Sequence, residues 1–276
     1  MLTIKPIIQV LLLLSCLGAA LNVYAVDEIK LLKPLLGMDK RERHKDEVIF
    51  RALEMTIPEF GPYLYKTINV DMTPGRALIS IRRGELINTY IAASSDIWDK
   101  SATAIKIPIR RGLMSYRLLL IHKDNLDKFE NVQTLEDLNM LTAGFQRDWA
   151  ITDVFEKANM NMVTSHTFEG LFSMLEKRRF DYTPRAIYEA YDELNTRKDK
   201  LPNLMVEPNL ALYIPLVTYV YVSKSAPRIA QRIEAGLKKM SANGDLDKLL
   251  DKYYEEDIKK ADLANRRIIE FQLQDQ

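Results

Sequence analysis

Short β-like runs alternate with helical segments from residue 28 to about residue 254, and this alternation confines the chain to sheets covered by helices on both faces. Residues 28–32 read as a first strand, closed by Lys33-Pro34. Residues 46–60 carry Val48, Ile49, Ala52, Leu53, Met55 and Ile57 at helical spacing, with Gly61-Pro62 as the stop. Strand alternation returns at 63–70. Thr73-Pro74-Gly75 reads as an N-cap with proline at the first helical position, opening a helix to about Arg83, and 88–93 form a third strand.

The same order resumes further on. Residues 117–122 are a strand, Thr134 caps a short helix with Asp137 at N3, and 141–145 are another strand. A helix follows to about Ala158, then a strand at 162–165 and a helix from Thr167 or Phe168 to near Arg179. A short strand covers 180–184 and a helix 185–197; 198–209, polar and proline-bearing, read as a surface connection. Residues 213–223 are β-rich. Helices at about 227–241 and 246–254 flank the turn Asn243-Gly244-Asp245, and 258–271 read as an amphipathic outer helix.

Hydrophobic residues make up 47% of the 276, enough to fill the cores this pattern requires. Lys and Arg number 39 against 38 Asp and Glu, so no excess of positive charge is available for a nucleic-acid backbone. Residues 1–25 read as a cleavable signal peptide: Lys5 is the basic start, 7–20 are apolar, and Val23-Tyr24-Ala25 ends in small residues. The apolar stretch is shorter than the roughly 20 residues that cross a bilayer. Export to a periplasm is therefore expected, with lipoprotein processing at Cys16, the only cysteine, as the alternative.

Motifs for chemistry are sparse. His44, His122 and His166 are far apart and no His-Glu-x-x-His or paired-cysteine pattern occurs, so each histidine is expected at the surface or a strand end and no metal is expected. A Gly-x-Ser-x-Gly elbow and Gly-x-Gly are missing too, which leaves nucleophilic catalysis and nucleotide cofactors without support. No cofactor is expected.

The arrangement of 73–93, 117–123, 135–144, 167–181 and 219–254 resembles the periplasmic solute-binding proteins of the type II fold, particularly the polar amino-acid-binding branch of ABC-transporter substrate-binding proteins. That resemblance implies a two-lobed α/β fold, each lobe a mostly parallel sheet flanked by helices. Lobe 1 would comprise 26–112 and 218–276, and lobe 2 would comprise 113–217 with two crossing segments. It implies a monomer that captures a small polar solute, anionic or amino-acid-like, for a membrane importer or a sensor.

Candidate ligand-binding residues stand at strand ends, where open α/β sheets bind. Gln146-Arg147-Asp148-Trp149 follows a strand and opens a helix, offering backbone N–H groups, charge and a stacking surface. Arg185 ends the 180–184 strand. The resemblance implies that this strand end reaches the ligand, often with an acid that holds an ammonium; here Arg185 and Ala186 stand in its place, and a guanidinium prefers an anion. The alternative is an Arg185–Glu189 pair on a helix surface. Ser94, Ser95 and Trp98 follow the third strand. The resemblance also implies a Thr-x-x-Arg segment and a Phe-Ser-x-Pro-Tyr-like run beyond it, but the chain reads Asp99-Lys100-Ser101-Ala102 and then 107–112, a departure from ordinary α-amino-acid recognition. Arg110 or Arg111 is a substitute charge, with a solvated basic edge as the favoured alternative. Arg76 and Tyr116 complete the set. Two rivals remain: an enzyme on the same fold, dehydratase-like or cell-wall lytic, using Asp148, Asp181 or Glu189, and a signalling module without solute.

Overall fold

A computed structural model of the protein describes residues 26–33, 39–70, 72–147 and 149–271. The expected signal segment and Asp148 lie outside these residues. Strand β1 (Asp27–Lys33) buries Asp27, Ile29 and Leu31 on alternate positions, as period-two patterning requires. Helix α1 (Lys40–Glu54) begins earlier than its apolar spacing indicated, because the Asp39 side chain accepts hydrogen bonds from the N–H groups of Arg41 and Glu42. The helix expected through Phe60 breaks at Thr56, and Ile57–Phe60 is a separate turn, α2, with Pro58 in its first turn.

Strand β2 (Tyr63–Asn69) pairs parallel to β1, and α3 (Pro74–Arg83) starts at the Thr73 cap and ends on Gly84 at φ 68°. Strand β3 (Thr89–Ala93) is followed by two unanticipated elements, α4 (Asp96–Ser101) and β4 (Thr103–Ile105). Much later, β10 (Thr218–Val222) enters antiparallel between β3 and β4. Asn88 fastens this trio to β1: its N–H donates to Lys30 O at 3.1 Å, its Oδ1 accepts from Lys30 N at 2.8 Å, and its Nδ2 donates to Glu28 O at 2.7 Å. Helices α9 (Pro227–Ala242) and α10 (Asp245–Ala261) close this lobe. Val220 and Val222 face one core with Ile49, Leu53 and Ile233, while Tyr221 faces another with Ile81 and Trp98.

The second lobe is a six-stranded sheet in the order β11-β9-β5-β8-β6-β7. Its strands are β5 (Tyr116–His122), β6 (Ala143–Gln146), β7 (Met162–Ser165), β8 (Tyr182–Ala186), β9 (Leu204–Tyr213) and β11 (Arg267–Glu270). Three short helices, α5 (Leu135–Asn139), α6 (Ala150–Lys157) and α7 (Phe168–Glu176), connect the strands, and α8 (Ala190–Asn195) follows β8. The Thr134 and Asp137 side chains form a reciprocal capping box. β5 packs Leu119 and Ile121 into one core and Leu118 and Leu120 into the other, the signature of a central strand.

Three sequence expectations change here. Residues 204–209, read as part of a polar connection, belong to β9; its polar stretch is a bulge. Leu118 faces Ala211 while Leu120 faces Val206, and the Glu207 carboxylate accepts from the N–H groups of Asn209 and Leu210. The helix expected over 258–271 stops at Ala261, after which the chain crosses to the second sheet as β11. Arg266 holds this passage, donating to Ala261 O, Glu207 O and Leu210 O. Finally, Arg185 lies within β8 instead of opening a helix, and α8 is much shorter than 185–197.

Two connections, 106–115 and 214–217, run side by side between the lobes. Ile214 N donates to Ser115 O at 2.8 Å, Ser115 Oγ to Leu216 O at 3.3 Å, and Ser94 N to Val217 O at 2.7 Å. Among the described residues no helix is long and apolar enough to cross a membrane.

Candidate functional site: a cationic cleft

The lobes enclose a cavity of about 600 Å³ at the carboxyl end of β3 and the facing ends of β6 and β8. From the first lobe, α1 contributes Arg41, Glu42 and Lys45, the start of α3 contributes Pro74 and Gly75, and β3 with the turn after it contributes Tyr90 and Ser95. Trp98 of α4 lies stacked on Tyr90 at 5.2 Å with 7° between the rings. From the second lobe come Gln146, Trp149, Ile151, Asp153, Phe168, Arg185, Tyr188 and Glu189. Arg110, inside the first crossing segment, and Arg117, just beyond it in β5, also line the cavity.

Of the residues singled out in the sequence, Ser95, Trp98, Gln146, Trp149 and Arg185 share this cavity. Ser94, Tyr116, Arg147 and Arg76 do not line it. Ser94 is tied by its backbone to Val217. The Tyr116 ring packs edge-on against Tyr213 at 5.1 Å across paired strands. Arg147 is exposed in the turn after β6, and Arg76 is exposed on the side of α3 opposite buried Ala77, Leu78 and Ile81.

Arg185 is only 5% exposed and its charge is already matched. Its Nε and Nη2 each donate to a Glu193 carboxylate oxygen at 2.6 Å, Nη2 lies 3.0 Å from Glu189 Oε2, and the guanidinium sits 4.3 Å from the Trp149 ring centroid. The Arg185–Glu189 pair expected on a helix surface is therefore a buried cluster. Burial works against the charge on Arg185, but Glu189 and Glu193 raise its pKa above the usual arginine value. Glu189 also receives Arg41 Nη1 at 3.1 Å and Ala186 N at 3.1 Å. Burial would raise its pKa; the guanidiniums of Arg185, Arg41 and Arg117 outweigh that and hold it down to about 2.

Arg117 is in the opposite position. It is 2% exposed, its one carboxylate neighbour within 4 Å among the described residues is Glu189 Oε2 at 3.8 Å from Nη1, and its Nε and Nη2 are buried without a hydrogen-bond partner. Burial, reinforced by Arg185, lowers its pKa in spite of Glu189. Arg110, expected on a solvated edge, is 4% exposed, lies 5.1 Å from the Tyr188 ring centroid, and also has an unpartnered Nε. Arg111 is the residue on that edge, exposed and paired with Asp247 at 3.2 Å. Sequence reasoning passed over Arg117, although a single arginine in an otherwise apolar strand, Tyr-Arg-Leu-Leu-Leu-Ile-His, marks a buried charge. His44, expected outside, is buried beside the Tyr253 and Tyr254 rings; desolvation and nearby Arg110 lower its pKa to about 3, so it is neutral.

No protein-family profile matches the sequence, and no curated protein does. Solved structures match the fold. An ancestral arginine-binding protein bound to glutamine aligns with a TM-score of 0.59 at 14% identity, over 83% of this chain and 99% of that one. The arginine-, lysine-, histidine-binding protein ArtJ from Geobacillus stearothermophilus gives 0.58 at 12% identity, over 83% and 96%. The ancestral amino acid-binding protein AncCDT-1, a precursor of cyclohexadienyl dehydratase, gives 0.55 at 17% identity, over 82% and 95%. The chain therefore has the two-lobed α/β fold of these amino-acid-binding proteins, the type II periplasmic solute-binding fold.

Proposed function

We propose that the protein is an exported solute receptor that captures a small anionic molecule between its lobes and presents the closed form to a membrane importer or sensor. The lobes are taken as 26–112 with 218–266, and 113–217 with 267–271. The observation that carries the reading is Arg117, a guanidinium 2% exposed at the wall of an interlobe cavity with two of its nitrogens, Nε and Nη2, unmet by the protein. A buried, undercompensated cation is costly, and a ligand carboxylate or similar anion relieves that cost only when the lobes surround it. Five cations, Arg41, Lys45, Arg110, Arg117 and Arg185, line the cavity against three carboxylates, Glu42, Asp153 and Glu189, so the lining field also favours an anion.

Catalysis in the cleft has less support. Glu189, held ionised, is a poor general acid near neutral pH, and Asp181 is engaged by Lys128 at 2.6 Å and Thr142 N at 2.8 Å away from the cavity lining. Calorimetric titration and thermal melting with a panel of small mono- and dicarboxylates and amino acids test the proposal. Binding should raise the melting temperature as ligand concentration exceeds Kd. Absence of heat and of any shift across the panel sinks it.

A further inference from the structure

The cleft is uneven in what it leaves unsatisfied. Two of its three lining carboxylates are committed within the protein. Glu42 accepts Lys45 Nζ at 2.6 Å; Glu189 takes Arg41 on one oxygen and Arg185 with Ala186 N on the other; and Glu193 behind it takes both nitrogens of the Arg185 fork. The remaining lining acid, Asp153, is exposed on α6 and stays in contact with water. Its cations are not all committed: Arg117 Nε and Nη2 and Arg110 Nε are buried donors with no acceptor. Between them the walls are apolar, with Leu78, Ile91, Trp98, Met114, Trp149 and Ile151 all in the lining.

From this imbalance we propose, building on the receptor reading above, that the solute is an organic carboxylate with an apolar or aromatic body and no ammonium group, and that the cleft discriminates against the corresponding α-amino acid. A carboxylate between the lobes supplies the negative charge that the lining guanidiniums of Arg110 and Arg117 lack within the protein, and its body covers the aromatic and aliphatic walls. An ammonium in the same cavity loses its water, finds every buried carboxylate already paired, and sits among five lining cations.

Pairs of ligands that differ only by the α-ammonium test this directly: 3-phenylpropionate with L-phenylalanine, hexanoate with L-norleucine, and glutarate with L-glutamate. They are titrated calorimetrically into the purified protein and into its Arg117→Met and Arg117→Lys variants. In the two apolar pairs the ammonium-free member should bind at least tenfold more tightly. Arg117→Met should abolish that binding while remaining folded by circular dichroism, and Arg117→Lys should recover part of it. If an amino acid binds as well as or better than its partner, the discrimination is overturned and the receptor reading stands. Binding of glutarate without either apolar carboxylate overturns the apolar body. Silence from all six overturns this inference, and the broader panel above then decides whether the receptor reading falls with it.

Discussion

At the residue scale, two arginines in one cavity have opposite roles because of their neighbours. Arg185 belongs to a buried ion cluster, so removing a partner strands a charge: Glu193→Gln should lower unfolding free energy by about 3–5 kcal/mol in a denaturant titration. Arg117 has no such hydrogen-bonded partner, and Glu189, its carboxylate neighbour at 3.8 Å, keeps Arg41 and Arg185 when Arg117 is removed. Arg117→Met should leave the ligand-free melting temperature unchanged or higher while weakening solute binding by about 2–5 kcal/mol in calorimetry. Glu189 sets the acid response. Its pKa falls from 4.5 to about 2 on folding, so its stabilising contribution is full above about pH 4.5 and is lost as pH falls towards 2. That shift corresponds to about 3 kcal/mol, since one pKa unit is about 1.4 kcal/mol. Burial and the charge of Glu189 push Glu193 the other way, so the pair loses less in acid than Glu189 alone would. The stability gap between wild type and Glu189→Gln should narrow between pH 5 and pH 2.5, and a constant gap would contradict the assignment.

At the element scale, the packing of α9 on α1 depends on one missing side chain. A Cβ on Gly236 would stand 2.1 Å from the Ala52 carbonyl oxygen, a backbone atom that cannot swing aside. Gly236→Ala should therefore separate the helices and cost about 1–3 kcal/mol or more, read as a lower denaturant midpoint. Local signals in the sequence foretold elements well where the stabilising interaction is itself local. The Thr73 and Thr134 caps, the start of α7 at Phe168 and the apolar run of β5 are all where their residues place them. β9 and β11 were not legible. The polar residues of β9 bind its own bulge, and β11 is a four-residue strand whose only sheet partner among the described residues, β9, lies more than 50 residues earlier. Nothing nearby in sequence announces either arrangement.

At the scale of the whole molecule, the lobes are joined by more than their connections. Arg41 of α1 reaches Glu189 beyond β8, and Lys40 Nζ stands 2.7 Å from both Asp192 of α8 and Asp257 of α10. Leu250, Tyr254 and Ala261 of α10 also pack into the core that holds Leu118 and Ile187. Arg41→Ala should loosen this contact and increase the radius of gyration of the ligand-free protein in small-angle scattering; an unchanged radius would place the restraint in α10 alone. Both tryptophans of the chain, Trp98 and Trp149, line the cavity, so solute entry should alter intrinsic fluorescence, and Trp98→Phe and Trp149→Phe should each remove part of the change.

The sequence by itself determined the α/β alternation, the caps, the central strands and a group of cleft residues at strand ends, because propensity, capping and apolar period act over a few neighbouring residues. Only the tertiary structure decided which arginine is free. The apolar run around Arg117 marks a buried charge but not an unmatched one; its difference from Arg185 arises from Glu189 and Glu193 closing on Arg185 and from burial that leaves Arg117 donors unmet. Charge compensation depends on distances between residues far apart in sequence, and those distances exist only once the two sheets have folded against each other.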